Sequence, residues 1–235
     1  MSKIAFLGLG VMGFPMAGHL STKFEVTVYN RTVSKAEKWM SQYTGNLAMT
    51  PAEAAKNADF VFSCVGNDDD LRSILLGVDG AIDSMKEGTI FTDHTTCSAK
   101  VTKEMVAYSQ KKGIGFVDAP VSGGQAGAEN GQLTIMCGGA QEHYDRIKPV
   151  ISQYAKFSSL IGPSGSGQLT KMVNQICIAG LLQALSEGLK FSEKANLDGK
   201  KVLDVISKGA AGSWQMENRG MTMLKDKFDF GFAVD

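Results

Sequence analysis

The sequence predicts an α/β protein: a doubly wound parallel sheet followed by an all-α C-terminal domain. Three observations lead there. Short apolar, β-branched or aromatic runs alternate with helical patterns from residue 3 to about residue 162, and such alternation with short connections implies parallel strands covered by helices on both faces. The strand runs are nearly continuous in hydrophobicity, as strands buried on both faces must be. After the turn cluster Gly162-Pro163-Ser164-Gly165-Ser166-Gly167 only helical segments follow. The expected domains are therefore 1–162 for the sheet and 163–235 for the helices.

The first strand is Lys3–Leu7, stopped by glycine, and a helical pattern runs from Val11 to Leu20. Glu25–Asn30 is a β-branched second strand, and Ser34–Gln42 reads as a helix. Thr50-Pro51 starts another, with Thr50 as N-cap and proline in the first position, where a missing N–H costs nothing. Asp59–Val65 is the third strand, Asp70–Leu76 and Ile82–Lys86 are helical connections, and Gly88–Asp93 is the fourth strand. Ala99–Lys112 is an amphipathic helix and Gly115–Ala119 a strand. Leu133–Cys137 and Ser158–Ile161 complete the strands, with a helix over Gln141–Tyr154 between them. Gln168–Ala195 reads as one long helix, apolar on more than one side, and so either buried or shared between subunits. Helices over Lys200–Ser207 and Met216–Lys225 follow.

Composition narrows the function. The 235 residues carry 24 Lys+Arg and 24 Asp+Glu, a balance with no electrostatic footprint for nucleic acid or an anionic membrane. Cys64, Cys97, Cys137 and Cys177 form no CxxC, and with His19, His94 and His143 they give no zinc or iron–sulfur spacing, so no metal is expected. Isolated cysteines read as reduced thiols of a cytoplasmic protein. The apolar start has one basic residue, Lys3, and no small-residue cleavage site, so it is not a signal peptide. No stretch matches the roughly 18–20 apolar residues of a membrane span. The 27 glycines against 5 prolines point to tight turns or to backbone that must approach a ligand closely.

Glycine is most informative at Gly8-Leu9-Gly10-Val11-Met12-Gly13. This GxGxxG follows a strand and opens a helix, the context that a dinucleotide-binding, Rossmann-type fold requires. Gly8 makes the turn, Gly10 leaves room for the pyrophosphate and Gly13 lets helix and strand pack closely. The second strand ends in Asn30-Arg31-Thr32. NAD sites place a carboxylate there for the ribose 2′-OH. A neutral amide beside an arginine suits a 2′-phosphate instead, so NADP is expected over NAD; a solvated surface charge is the alternative for Arg31. Val65-Gly66 lies beyond the third strand and is expected near the nicotinamide ribose. Asp68, Asp69 and Asp70 read as cap and first-turn acids of a helix, with Asp70 a candidate at the cofactor. Thr95 and Thr96 either donate to a ligand or cap the helix at Ala99.

Two further segments carry chemistry. Asp118-Ala119-Pro120-Val121-Ser122-Gly123-Gly124 exposes a hydroxyl and backbone N–H groups, which suits a carboxylate. Gly165-Ser166-Gly167-Gln168-Leu169-Thr170-Lys171-Met172-Val173-Asn174 places Lys171 and Asn174 on one helix face. By spacing alone this is equally a snorkelling lysine beside a structural asparagine.

With these motifs in view, the whole chain resembles the β-hydroxyacid dehydrogenases, the group of 3-hydroxyisobutyrate dehydrogenase, tartronate semialdehyde reductase and the glyoxylate/succinic semialdehyde reductases. The resemblance rests on residues 6–20, the loop at Val65-Gly66, DAPVSGG at 118–124 and GxGxxxKxxN at 165–174. It implies hydride transfer between NADPH and a small carboxylate-bearing aldehyde or hydroxy acid. Lys171 is the implied general acid, Asn174 orients the substrate, and Ser122, Gly123 and Gly124 hold its carboxylate. The alternatives are a 3-hydroxyisobutyrate or other 3-hydroxyacid dehydrogenase working in oxidation, and a non-catalytic dinucleotide-binding module. Lys171 argues against the imine reductases, which replace it. Two departures stand out. Gln175 replaces the asparagine that usually ends the lysine motif. The chain also stops before the family's second lysine, in a Lys-Asp-Leu segment, so its helical domain reads as cut short. Trp214 and Phe232 are candidates to line a substrate pocket or to pack between helices. The long apolar helix leads one to expect a homodimer or homotetramer.

Overall fold

The computed structural model describes residues 2–229. In chain order the elements are β1 (Lys3–Leu7), α1 (Gly13–Ser21), β2 (Glu25–Tyr29), α2 (Val33–Met40), β3 (Asn46–Leu47), α3 (Pro51–Ala55), β4 (Phe60–Ser63), α4 (Asp68–Leu76), β5 (Ile90–Asp93) and α5 (Ala99–Lys111). Then come β6 (Gly115–Asp118), β7 (Val121–Ser122), α6 (Gly124–Glu129), β8 (Leu133–Gly139), α7 (Gln141–Ile151), β9 (Ala155–Gly162), α8 (Ser166–Lys194), α9 (Gly199–Ile206) and α10 (Trp214–Leu224). The chain forms two compact units, Met1–Lys171 and Met172–Asp235. The division falls inside α8 rather than in the turn cluster before it, because the first turns of α8 are hydrogen-bonded to the strand ends of the first unit.

The first unit is a mixed sheet in the order β3-β2-β1-β4-β5-β6-β8-β7, with β9 paired to β8. Strands β1 to β6 pair in parallel. Side chains of β1 alternate between two cores: Ile4 and Phe6 join Val26, Val28, Phe60 and Phe62, whereas Ala5 and Leu7 join Val61, Phe91 and Phe116. Met16 and Leu20 of α1, Trp39 of α2 and Ile147 of α7 close the first core. Leu71 and Leu75 of α4 and Val101 and Met105 of α5 close the second. Two buried faces explain the continuous apolar strands, since successive residues point opposite ways. Each buried Val, Leu, Ile, Phe or Met among them stabilises by roughly 1.5–3 kcal/mol.

The sheet departs from the expected all-parallel form at one edge. β8 runs antiparallel to β6 and β7. The chain from β7 passes only through the short α6 before returning, less than the crossover a parallel neighbour needs. The two-residue strands β3 and β7, and α6, are too short to carry a periodic signal in the sequence. Ile82–Lys86 is not a helix: the N–H groups of Ala81 and Ile82 bond back to the carbonyls of Ile74 and Leu75, closing off α4. At α3 the expected cap is present, the Thr50 hydroxyl accepting from the Glu53 N–H with proline at the helix start.

The second unit is helical. Leu185 and Leu189 of α8, Leu203 of α9 and Met216 of α10 form its core. Gly220 admits Leu203 closely: a Cβ there would meet a leucine methyl at 2.8 Å. Asp198 caps α9 and Ser213 caps α10. Val173, Ile176, Leu181 and Phe191 of α8 are exposed. Among the described residues no helix is long and apolar enough to cross a membrane.

Candidate functional site

Because β1, β2, β4, β5 and β6 are parallel, the residues after each gather along one edge of the sheet. In open α/β sheets ligands bind beyond these carboxyl ends. After β1, Gly8 takes a left-handed φ of +101°, and a side chain there would overlap the Cys64 carbonyl. A Cβ on Gly13 would overlap the Gly8 carbonyl oxygen, so α1 packs against the loop as only glycine allows. A Cβ on Gly10 would meet nothing within 4 Å. Val11 is exposed in the same loop, and Met12 precedes α1 without a side-chain cap. A roomy turn before an uncapped helix N-terminus fits a pyrophosphate.

The loops after β1 and β2 are stapled together. The Leu9 N–H donates to Asn30 Oδ1 at 2.8 Å, and Asn30 Nδ2 donates to the Thr32 carbonyl at 3.0 Å. The amide oxygen that replaces the usual carboxylate is thus committed to the glycine loop. Thr32 stands before α2 without a side-chain capping bond. Arg31, with a side chain 83% exposed, donates to Asp70 at 2.8 Å. Asp70 therefore faces the guanidinium expected to meet a 2′-phosphate. The residues after β4 divide their work: the amide Asn67, not one of the three acids, caps α4, Asp69 pairs with Arg72, and Asp68 accepts from the N–H and hydroxyl of Ser98. Gly66 lies beside Asp70, where a Cβ would sit 2.6 Å from the carboxylate.

After β5 the two threonines separate. Thr95 is buried and its hydroxyl accepts from the Val65 N–H at 3.0 Å, whereas Thr96 is exposed. Neither caps α5; Ser98 does, accepting from the Val101 N–H. Beneath them Asp93 is fully buried and accepts from the Ser63 hydroxyl (2.7 Å), the Thr95 N–H (3.0 Å) and the Cys97 thiol (3.5 Å). Burial pushes its carboxyl up to about 6, with those bonds holding it back. His94 is equally buried, with Nδ1 2.6 Å from the Ala119 carbonyl and Nε2 2.8 Å from the Tyr154 hydroxyl. A carbonyl only accepts, so Nδ1 carries the proton and Nε2 accepts from the tyrosine. Burial pushes this imidazole down to about 4.

After β6 comes the turn that was expected to take a carboxylate. Ser122 is half-buried, and Gly123 and Gly124 have φ of +140° and +62°. A Cβ on Gly124 would meet nothing within 4 Å, so its backbone faces open space. Lys171 of α8 comes to this turn: it is 9% exposed, and its Nζ donates to the Val121 carbonyl at 2.9 Å. Burial lowers its pKa. Asn174 follows one turn along α8, in the second unit, with Nδ2 donating to Gln175 Oε1 at 3.0 Å. Trp214 heads α10, half exposed, with the Arg219 guanidinium over its ring; Phe232 lies outside the described residues.

Sequence reasoning gave no role to Asp118 or Gln168, although both stand inside quoted motifs. A polar residue inside a glycine-rich segment is the signal the sequence offers; its burial appears only in the structure. Together the strand ends bring the glycine loop, the 118–124 turn and the buried Lys171 amine to one edge of the sheet.

Comparison with known proteins agrees. Residues 3–176 match the NAD binding domain of 6-phosphogluconate dehydrogenase, and residues 165–235 match the NAD-binding region of NADP-dependent 3-hydroxyisobutyrate dehydrogenase. An uncharacterised oxidoreductase of Shewanella frigidimarina is 61% identical over 100% of this chain and 81% of its own length. A probable mitochondrial 3-hydroxyisobutyrate dehydrogenase-like protein of Arabidopsis thaliana is 41% identical over 100% of this chain and 70% of its own. The 2-hydroxy-3-oxopropionate reductase of Escherichia coli is 32% identical, covering 99% and 79%. Among solved structures, 3-hydroxyisobutyrate dehydrogenase of Mycobacterium tuberculosis with L-serine superposes with a TM-score of 0.83 at 29% identity, covering 93% of this chain and 74% of that one. The fold, the matched family regions and these relatives place the chain in the β-hydroxyacid dehydrogenase family of NAD(P)-dependent oxidoreductases.

Proposed function

We propose that the protein reduces a small carboxylate-bearing aldehyde, of the succinic semialdehyde or glyoxylate type, using NADPH. The observation that carries this reading is the buried Lys171 amine, held by the Val121 carbonyl one residue from Ser122-Gly123-Gly124. When bound, the reduced nicotinamide supplies the hydride. Lys171, as the ammonium, gives its proton to the carbonyl oxygen as the alkoxide develops. Its lowered pKa makes that transfer easier near neutrality. Ser122 and the N–H groups of Gly123 and Gly124 hold the carboxylate, fixing which carbonyl face meets the donor. Asn174 orients substrate and lysine.

Gly8, Leu9, Gly10, Val11, Met12 and Gly13 would hold the cofactor's pyrophosphate, and Val65, Gly66 and Thr96 would complete its site. Asn30, Arg31 and Thr32 would receive the 2′-phosphate, with Asp70 sharing the arginine. The absence of a carboxylate at position 30 supports NADPH over NADH. The E. coli relative is named for an aldehyde that carries a carboxylate, which supports the substrate class. The second reading, oxidation of 3-hydroxyisobutyrate, is favoured by the name of the Arabidopsis relative. Comparing kcat/KM across semialdehydes and 3-hydroxy acids decides between them. The exposed apolar residues of α8 support a homodimer or homotetramer, and the four free cysteines support a cytoplasmic setting.

The test is Lys171→Ala in an NADPH-oxidation assay with succinic semialdehyde and glyoxylate. Loss of a general acid lowers kcat by about 10²–10⁴-fold, while NADPH binding, followed by its fluorescence, is retained. A kcat near the wild-type value refutes the assignment.

A further inference from the structure

Asp118 is fully buried, an uncommon state for a carboxylate unless it is well partnered. Its partners are the opening turn of α8. The Gly165 N–H donates to Oδ1 at 2.7 Å and the Gln168 N–H to Oδ2 at 2.9 Å. These are N–H groups of the kind that lack a partner at a helix start, and an anion there also complements the helix dipole. Two glycines make the room: a Cβ on Gly138 would sit 2.6 Å from Oδ1, and one on Gly167 2.8 Å from Oδ2.

A second tie reinforces the first. The Gln168 side chain is 1% exposed. Its Nε2 donates to the Thr95 carbonyl at 2.7 Å, and its Oε1 accepts from the Cys97 N–H at 3.2 Å. Lys171 follows Gln168 by one helical turn, and its amine ends on Val121, three residues beyond Asp118. The start of α8 and the segment 118–121 are thus joined at both ends. The same carboxylate begins the turn that runs into Ser122-Gly123-Gly124.

We propose that Asp118, seconded by Gln168, is a positioning residue that fixes the register and depth of the Lys171 amine against the 118–124 turn. This rests on the assignment of Lys171 as proton donor. Asparagine at 118 would keep one acceptor but turn an amide N–H toward a backbone N–H, so one tie opens and the first turn of α8 shifts.

The experiment compares Asp118→Asn, Gln168→Leu and Lys171→Ala in the full chain. Three quantities are read: kcat, the NADPH dissociation constant, and the rate of Lys171 acetylation by acetic anhydride, followed by peptide mass spectrometry. A misplacement on the ångström scale lowers kcat by up to about a hundredfold. Asp118→Asn is therefore expected to lower kcat by between about tenfold and about a hundredfold, to leave NADPH binding as in wild type, and to speed acetylation of Lys171. Gln168→Leu, which leaves Asp118 in place, gives the same split in smaller measure and carries the test if Asp118→Asn does not fold. Wild-type kcat and acetylation in the variants overturn the proposal, as does a kcat loss matched by an equal loss of NADPH binding, which would mark a general structural role. Full activity of Lys171→Ala instead overturns the role of the lysine itself. An inactive Lys171→Ala beside wild-type Asp118→Asn and Gln168→Leu removes only the positioning role.

Discussion

Alanine at Gly13 and at Gly10, introduced one at a time, separates what the loop after β1 does for the fold from what it does for a ligand. At Gly13 the new methyl meets the Gly8 carbonyl and lies 3.0 Å from the Phe6 ring. A backbone oxygen cannot rotate away, so the strain falls at the upper end of the ~1–3 kcal/mol typical of overpacking. Better helix propensity returns up to ~1 kcal/mol, leaving a net loss of about 2 kcal/mol. For a chain of this size each kcal/mol moves Tm by roughly 2–4 °C, so Gly13→Ala melts about 4–8 °C lower. At Gly10 nothing lies within 4 Å and φ is not left-handed, so stability holds or rises by the ~0.4–1 kcal/mol that a less flexible unfolded chain allows, and Tm does not fall. The same methyl occupies the space proposed for the pyrophosphate. NADPH binding is therefore expected to weaken by about tenfold or more, or ~1.4 kcal/mol. Thermal melts and fluorescence titration with NADPH give both quantities. If Gly10→Ala binds NADPH as tightly as wild type, the pyrophosphate does not cross Gly10; if Gly13→Ala melts at the wild-type temperature, the close-packing argument is wrong.

Three more outcomes are expected. Arg31→Ala raises KM for NADPH well above any change for NADH, and equal losses with both cofactors would remove the 2′-phosphate assignment. Asp70→Asn frees Arg31 from an exposed pair worth ~0.2–1 kcal/mol, so NADPH binds up to about fivefold tighter; weaker binding would mean that Asp70 touches the cofactor itself. The third concerns pH. Asp93 is raised to about 6 from an ordinary value of about 3.9, so the folded state holds its proton first and this residue adds stability as pH falls through 6. His94, lowered to about 4 from about 6.5, works in reverse: the folded state resists protonation, and stability is lost as pH falls from 6.5 toward 4. The two contributions are each roughly 3 kcal/mol at ~1.4 kcal/mol per pH unit and largely cancel. Asp93→Asn should uncover the histidine, losing stability relative to wild type's own trend between pH 7 and 5 in urea unfolding; an unchanged trend would contradict the opposition of the pair.

Much of this architecture is legible in local sequence, and the reasons are local too. A strand such as Lys3–Leu7 declares itself because both its faces are buried, and Thr50-Pro51 because capping uses a hydroxyl three residues from its donor. GxGxxG is readable because Gly8 and Gly13 answer to backbone geometry a few residues away. Lys171 stands out as the one charged side chain between Ser166 and Ser186 of α8. Where the signal was weakest, the elements were shortest: β3, β7 and α6 hold too few residues for any period to show, and the reversal of β8 follows from the length of the return, not from the strand's own composition.

The sequence by itself therefore determined the alternating architecture, the dinucleotide loop and the amine at the start of the long helix. Only the tertiary structure decided who partners whom. Asn30 turns its oxygen to Leu9, 21 residues away, Asp70 takes Arg31 from 39 residues away, and Asp118 holds Gly165 across 47. The physical reason is that periodicity and capping are written into neighbouring residues, whereas a buried hydrogen bond requires donor and acceptor within about 3 Å. That distance is set by how the parallel strand ends line up, and so the environment that lowers the Lys171 pKa exists only once the sheet has formed.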